Sequence, residues 1–323
     1  MTKPRILVTR KLPETVEVRL ARHFDAQFNL SDRPVSAASL YAAMREFDAL
    51  VPTVSDKLNE GILTTPERRV QMIANVGVGF NNIDIETARK EGIAVSNTPD
   101  VLTDATADIA MLLILSVTRR AYAAERKLRD KRWSGFSIVE GLGTSVQGKT
   151  LGIIGMGRIG QATARRAARG FGMKIIYYNR SPIEELDFEA KRQGSISDVM
   201  SEADIVSVHV PGGGAAPIVT AQHISSMKPS AYLINTARGD SFDQDALIAA
   251  LKTGKIAGAG LDVFESEPHV PDDLLAMENV TLLPHIGSAT IEVRTAMGML
   301  AADNLEAFFS GRELPNVVVA GRR

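Results

Sequence analysis

The chain has 323 residues, enough for two domains with separate cores, and its 37 basic and 38 acidic residues leave a net charge of −1, which argues against nucleic acid or a membrane surface as the main partner. It contains no cysteine, which excludes disulfides, thiolate nucleophiles and cysteine-ligated metals. The five histidines are scattered without HxxxH or HExxH spacing, so no metal site is expected.

The opening Met1-Thr2-Lys3-Pro4-Arg5 lacks the apolar core of a signal peptide, so a cytoplasmic protein is expected. Short apolar, β-branched runs then alternate with helical patterns to the end of the chain, the signature of an α/β protein with parallel sheets. Strands are predicted at Ile6–Val8, Ala49–Val51, Gln71–Ala74 and Ile93–Val95, in a domain that precedes the middle of the chain. In that domain Gly77-Val78-Gly79 follows a strand, where exposed backbone N–H groups can form a small anion nest or simply a tight turn.

The stretch from Asp104 to Thr118 is apolar nearly all round a helix and lacks the length to cross a bilayer, so each of its faces is expected to be buried, in part against a second subunit. A charged, irregular stretch around Trp133 and Phe136 follows.

After the apolar run Leu151–Ile154 comes Gly155-Met156-Gly157-Arg158-Ile159-Gly160, followed by a helical pattern. A GxGxxG between strand and helix is the dinucleotide fingerprint: one glycine permits the turn, one admits the pyrophosphate to the backbone, and one lets helix and strand approach. Free N–H groups at the helix start complete the anion site. The second strand of this fold, Lys174–Tyr178, leads into Asn179-Arg180-Ser181, with Asn179 standing 19 residues past Gly160. An acidic residue there would select NAD(H); a guanidinium and a hydroxyl instead suit a 2′-phosphate, so NADP(H) is expected over NAD(H).

Further strands are predicted at Ile205–Val210, Tyr232–Ile234, Ala259–Leu261 and Thr281–Leu283, which with Leu151–Ile154 before the glycine loop and Lys174–Tyr178 after it gives six in all, a complete doubly wound sheet. The helical stretch from Glu292 to Phe309 comes after that sheet and is expected to cross back to the first domain. The predicted architecture is therefore two doubly wound (Rossmann/flavodoxin-like) domains. Residues 1–100 plus 290–323 form a discontinuous substrate-binding domain, and 101–289 form an inserted NAD(P)-binding domain.

Arg238, Glu267 and His285 fall just past three successive predicted strands, on the sheet that carries the glycine loop, and ligands of such sheets bind beyond the carboxyl strand ends. Hydride transfer to a 2-keto acid builds negative charge on the carbonyl oxygen, which a histidine can neutralise near neutral pH. His285 is the candidate acid, Glu267 its orienting carboxylate, and Arg238 the fork for the substrate carboxylate. Asp262, also at a strand end, is expected to hold the nicotinamide carboxamide. Val210, Pro211, Thr236, Ala237 and Gly287 complete the expected cofactor contacts.

Taken together, Gly77-Val78-Gly79, the loop from Gly155 to Gly160, Thr236-Ala237-Arg238-Gly239, the segment Leu261 to Pro268 and the segment Pro284 to Thr290 resemble the D-isomer-specific 2-hydroxyacid dehydrogenase family over nearly the whole chain. The chain looks most like the glyoxylate/hydroxypyruvate reductase branch, which often lacks the acidic residue after the second nucleotide-fold strand. The resemblance implies an Arg/Glu/His trio at Arg238, Glu267 and His285, and substrate contacts from the backbone of Val78 and Gly79. It also implies a cleft that closes over a small 2-keto or 2-hydroxy acid, and a homodimer built through the long helix and the arm after it. Asn81, where many members have Asp, and Asp240-Ser241, where an apolar pair is usual, depart from the pattern. Glu267 counts against formate dehydrogenase activity, for which the family pairs Gln with the His. Two other readings are a 2-ketogluconate-type reductase and an NAD(H)-sensing corepressor-like binding protein; the lack of extended tails and of a basic patch counts against the second.

Overall fold

The computed structural model describes residues 2–321. They divide into two compact units, one running through Leu102 and resuming at Ser288, the other spanning Thr103–Gly287.

The first unit is built on β1 (Arg5–Val8), β2 (Asp25–Phe28), β3 (Ala49–Val51), β4 (Met72–Ala74) and β5 (Ala94–Ser96), with β13 (Val317–Val319) added from the end of the chain. The sheet order is β13-β5-β4-β3-β1-β2, all pairs parallel except β13 against β5. β3, β4 and β5 are buried at every position, as strands covered on both faces must be. β2 is different: Asp-Ala-Gln-Phe at an exposed edge carries no apolar run, so nothing local announces it.

The helix Ile291–Phe309 belongs to this unit, and an ion-paired clasp joins it to the helix Glu14–His23: Arg19 donates to Asp303 at 2.7 Å and to Glu306 at 2.9 Å. Such partly exposed pairs contribute about 0.2–1 kcal/mol each. The buried Val16 and Leu20 side chains each contribute roughly 1.5–3 kcal/mol, so apolar packing holds the two helices together and the clasp sets their register.

The second unit carries β6 (Thr150–Ile154), β7 (Lys174–Tyr178), β8 (Lys191–Arg192), β9 (Ile205–Val208), β10 (Tyr232–Asn235), β11 (Gly258–Leu261) and β12 (Val280–Leu282). All pairs are parallel, in the order β12-β11-β10-β9-β6-β7-β8. The chain thus winds outward from β6 in both directions, and the switch between β6 and β9 opens a crevice at their carboxyl ends. Seven strands stand where the apolar pattern showed six. The extra one, β8, is two charged residues long.

The helix Thr103–Thr118 packs on this sheet and buries Ala107, Ala110, Leu113 and Ile114. It does not bury every face within the chain: Leu112 remains 45 % exposed. The following arm holds the short helix Ala121–Arg129, which buries none of its residues, and then exposes Trp133 at 61 % and Phe136 at 90 %. Among the described residues, no helix is long and apolar enough to cross a membrane.

Candidate active site

The glycine loop lies at the carboxyl end of β6 and opens the helix Arg158–Phe171. Gly155 adopts φ +95°, and a Cβ there would lie 2.6 Å from the His209 carbonyl oxygen, so no other residue fits the turn. At Gly160 a Cβ would meet the Gly155 carbonyl at 2.2 Å, whereas Gly157 has nothing within 4 Å. Protein packing therefore explains the first and last glycines but not the middle one. Open space over a helix N-terminus is what a pyrophosphate approaching the backbone needs, so these residues fit a dinucleotide.

Asn179 at the end of β7 faces back toward this loop: its Oδ1 accepts from the Met156 N–H at 3.0 Å and its Nδ2 donates to the Ser181 carbonyl at 2.8 Å. Arg180 and Ser181 are exposed beside it. Arg192 of β8 donates to the Asn179 carbonyl at 3.1 Å, so a second guanidinium lies at this turn. Sequence reasoning missed Arg192, which no apolar pattern flags.

The three candidate residues follow adjacent strands. Arg238 follows β10, Glu267 follows β11 and His285 follows β12, and these strands are parallel neighbours, so all three come out at one edge. The turn carrying Arg238 is shaped from inside. Buried Asn235 accepts from the Ala237 N–H at 2.9 Å and donates to the Arg238 carbonyl at 2.8 Å. Gly239 lets this turn press against the next loop, since a Cβ there would lie 1.9 Å from the Phe264 carbonyl carbon.

Asp240 and Ser241 both brace this region. Asp240 accepts from the Gly213 N–H at 2.6 Å, and Ser241 donates to the Arg238 carbonyl at 2.6 Å. Burial pushes the Arg238 guanidinium down, opposed by the charges of Glu267 and Asp240.

His285 Nδ1 and Glu267 Oε2 are 2.7 Å apart, and Glu267 Oε1 accepts from the Phe264 N–H at 3.1 Å. Burial opposes the charge on Glu267. The His285 hydrogen bond and charge, the Phe264 N–H and the Arg238 charge outweigh it and hold the carboxyl below its ordinary range. A carboxylate on Nδ1 fixes the imidazole tautomer and leaves Nε2 to act. Nε2 has no hydrogen-bond partner among the described residues.

His285 sits at φ +54°, a conformation most side chains avoid. Asp262 holds it there: its carbonyl accepts from the His285 N–H at 2.9 Å, and its carboxylate oxygens accept from the N–H groups of Ile286 and Gly287, each at 2.7 Å. Burial pushes the Asp262 carboxyl up, against those two bonds and the His285 charge. At 1 % exposure it braces the His285 turn from inside the fold.

His209, at the end of β9, is a different kind of histidine. Its Nε2 lies 2.9 Å from Ser207 Oγ, and burial pushes its pKa down to about 4. It is neutral at physiological pH and cannot serve as the acid.

Val78 and Gly79 lie in the first unit, just past β4, and are partly accessible. Among the described residues no cluster of ligating side chains could hold a metal ion.

Comparison with known proteins agrees with this geometry. Residues 111–287 match the family described as D-isomer specific 2-hydroxyacid dehydrogenase, NAD binding domain. The chain is 44 % identical over 322 residues to the glyoxylate reductase of Thermococcus litoralis, covering 98 % of this chain and 97 % of that one. It is also similar to the crystal structure of an NADPH-dependent glyoxylate/hydroxypyruvate reductase from Sinorhizobium meliloti in complex with NADP and malonate. The TM-score there is 0.86 at 40 % identity, over 100 % of this chain and 99 % of that chain. A glyoxylate reductase from Paecilomyes thermophila gives a TM-score of 0.86 at 32 % identity, over 98 % and 99 % of the two chains. With its paired parallel sheets, its glycine loop and full-length relatives at this identity, the chain belongs to the D-isomer-specific 2-hydroxyacid dehydrogenase family and is an NAD(P)-dependent oxidoreductase.

Proposed function

We propose that the protein reduces glyoxylate and hydroxypyruvate to the corresponding hydroxy acids, the D-isomer where the product is chiral, with NADPH preferred over NADH. The observation that carries this reading is the 2.7 Å His285–Glu267 pair at the carboxyl edge of the sheet that also holds the glycine loop. The glyoxylate reductases among its relatives support the substrate class.

When bound, the reduced nicotinamide supplies hydride to the carbonyl carbon. His285 Nε2 delivers the proton that the carbonyl oxygen needs as its charge grows. Glu267 keeps the imidazolium charged and aimed, and Asp262 keeps its turn in place. Arg238 binds the substrate carboxylate through its planar fork and places positive charge beside the carbonyl. The backbone N–H groups of Val78 and Gly79 are read as substrate contacts. Residues 155–160 with Val210, Pro211, Thr236, Ala237 and Gly287 are assigned to the cofactor.

A panel of 2-keto acids that includes 2-ketogluconate, each offered with NADPH and with NADH and followed by loss of the reduced-nicotinamide absorbance, tests the reading. Fastest turnover is expected for glyoxylate or hydroxypyruvate with NADPH. Preference for 2-ketogluconate would reassign the substrate, and no turnover at all would favour a binding protein.

The cofactor preference rests on Arg180 and Ser181, with Arg192 beside them. Arg180→Ala should raise KM for NADPH about tenfold and leave KM for NADH nearly unchanged, because only NADPH carries the 2′-phosphate. Equal losses with both cofactors would sink the assignment.

A homodimer is proposed from the apolar surface left by the helix Thr103–Thr118 and the arm after it, Leu112, Trp133 and Phe136 in particular. A patch of this kind on an isolated chain marks an interface. Light scattering at micromolar concentration should give twice the chain mass; a monomer would contradict it.

A further inference from the structure

We propose that Asn97 is a positioning residue for the substrate: its side-chain amide fixes the Val78–Gly79 peptide so that two successive backbone N–H groups stand ready for a carboxylate. The inference rests on the proposed reading of Val78 and Gly79 as substrate contacts.

The geometry is that of three successive carbonyls, each held by a donor at 3.0 Å or less, with Asn75 Nδ2 also donating to the Gly77 carbonyl at 3.5 Å. The Gly77 carbonyl accepts from the Thr98 N–H at 3.0 Å, the Val78 carbonyl from Asn97 Nδ2 at 2.8 Å, and the Gly79 carbonyl from Asn75 Nδ2 at 3.0 Å. In a planar trans peptide the carbonyl of one residue and the N–H of the next point in opposite directions. The Gly77 and Val78 carbonyls are both drawn toward the 97–98 segment, so the Val78 and Gly79 N–H groups are both turned away from it, on the same side. Neither donates to any acceptor among the described residues. Two adjacent unsatisfied N–H groups on one side of a turn form an anion nest, and here the nest exists before any ligand arrives.

Asn97 and Thr98 follow β5, the strand beside β4, so the sheet fixes the donors relative to the loop. Asn75 is fully buried, and its Oδ1 accepts from Asn82 Nδ2 at 3.2 Å. It is therefore part of the core scaffold. Asn97 is partly accessible and, among the described residues, its side chain hydrogen-bonds to the loop alone, so its loss releases one peptide plane without opening the core.

The test is Asn97→Ala, with the near-isosteric Asn97→Asp as a second variant should the first not fold. Asp removes the donor and sets a carboxylate against the Val78 carbonyl. Either variant should raise KM for glyoxylate roughly ten- to hundredfold. The Kd of oxamate, a dead-end carboxylate measured by calorimetry on the NADPH-loaded protein, should rise in parallel. Saturated kcat, KM for NADPH and Tm should stay close to wild type. A merely structural asparagine would give the opposite pattern, with lowered Tm and active fraction at unchanged KM, and that result overturns the proposal. Unchanged oxamate affinity also overturns it. If the wild-type protein binds oxamate but reduces no 2-keto acid, the proposed reaction fails while the oxamate measurement still decides the role of Asn97.

Discussion

His285→Ala is expected to slow keto-acid reduction and hydroxy-acid oxidation alike, by about 10²- to 10⁴-fold in kcat. In the proposed reaction, reduction uses the imidazolium as acid and oxidation uses the neutral ring as base, so one side chain serves both directions and its loss cannot spare either. The loss should be chemical and not a failure of folding or cofactor capture. His285 lies on an exposed-edge turn held by Asp262 through backbone bonds, and those bonds do not involve the imidazole. NADPH binding measured by fluorescence should therefore survive. Near-normal turnover of His285→Ala would mean that another group donates the proton. His209, held neutral by burial, is not a candidate to replace it.

Arg238→Ala should raise KM for the keto acid and lower kcat together, with kcat/KM down on the order of 10²-fold or more. In the proposed reaction, carboxylate binding and stabilisation of the developing oxyanion fall to one guanidinium, so ground state and transition state both lose it. Arg238→Lys should recover only part of the loss, because an ammonium restores the charge but not the two-pronged fork. Steady-state kinetics on both variants checks this. A wild-type KM in Arg238→Ala would mean that a different cation holds the carboxylate.

Most of the sheet scaffold can be read from the chain because strands covered on both faces must be apolar throughout: Ala49–Val51 and Leu151–Ile154 announce themselves. β2 and β8 do not, since Asp25–Phe28 lies at an exposed edge and Lys191–Arg192 is formed by pairing alone. The trio is legible for a related reason. Arg238, Glu267 and His285 each stand a few residues past an apolar run, and parallel topology brings such positions to one edge.

The supports behind these loops are not legible. Asp262 binds the backbone 24 and 25 residues ahead of it, and Asn97 reaches back 19 residues to Val78. Bonds of that span leave no local pattern. The all-round apolar helix from Asp104 to Thr118 shows the converse: the sequence demands burial of a face that this chain alone leaves open at Leu112.

The proton-donor pair is tested most directly by the pH profile of glyoxylate reduction in Glu267→Gln. The carboxylate favours the charged imidazole; glutamine keeps a hydrogen-bond acceptor but removes the charge. The imidazolium of the variant should then give up its proton more readily, so the fall in reduction rate on the alkaline side should move to lower pH, with turnover at acidic pH much less affected than in His285→Ala. An alkaline limb that stays where it is in the wild type, or moves to higher pH, would contradict the assignment of His285 as the acid and Glu267 as the group that holds it charged.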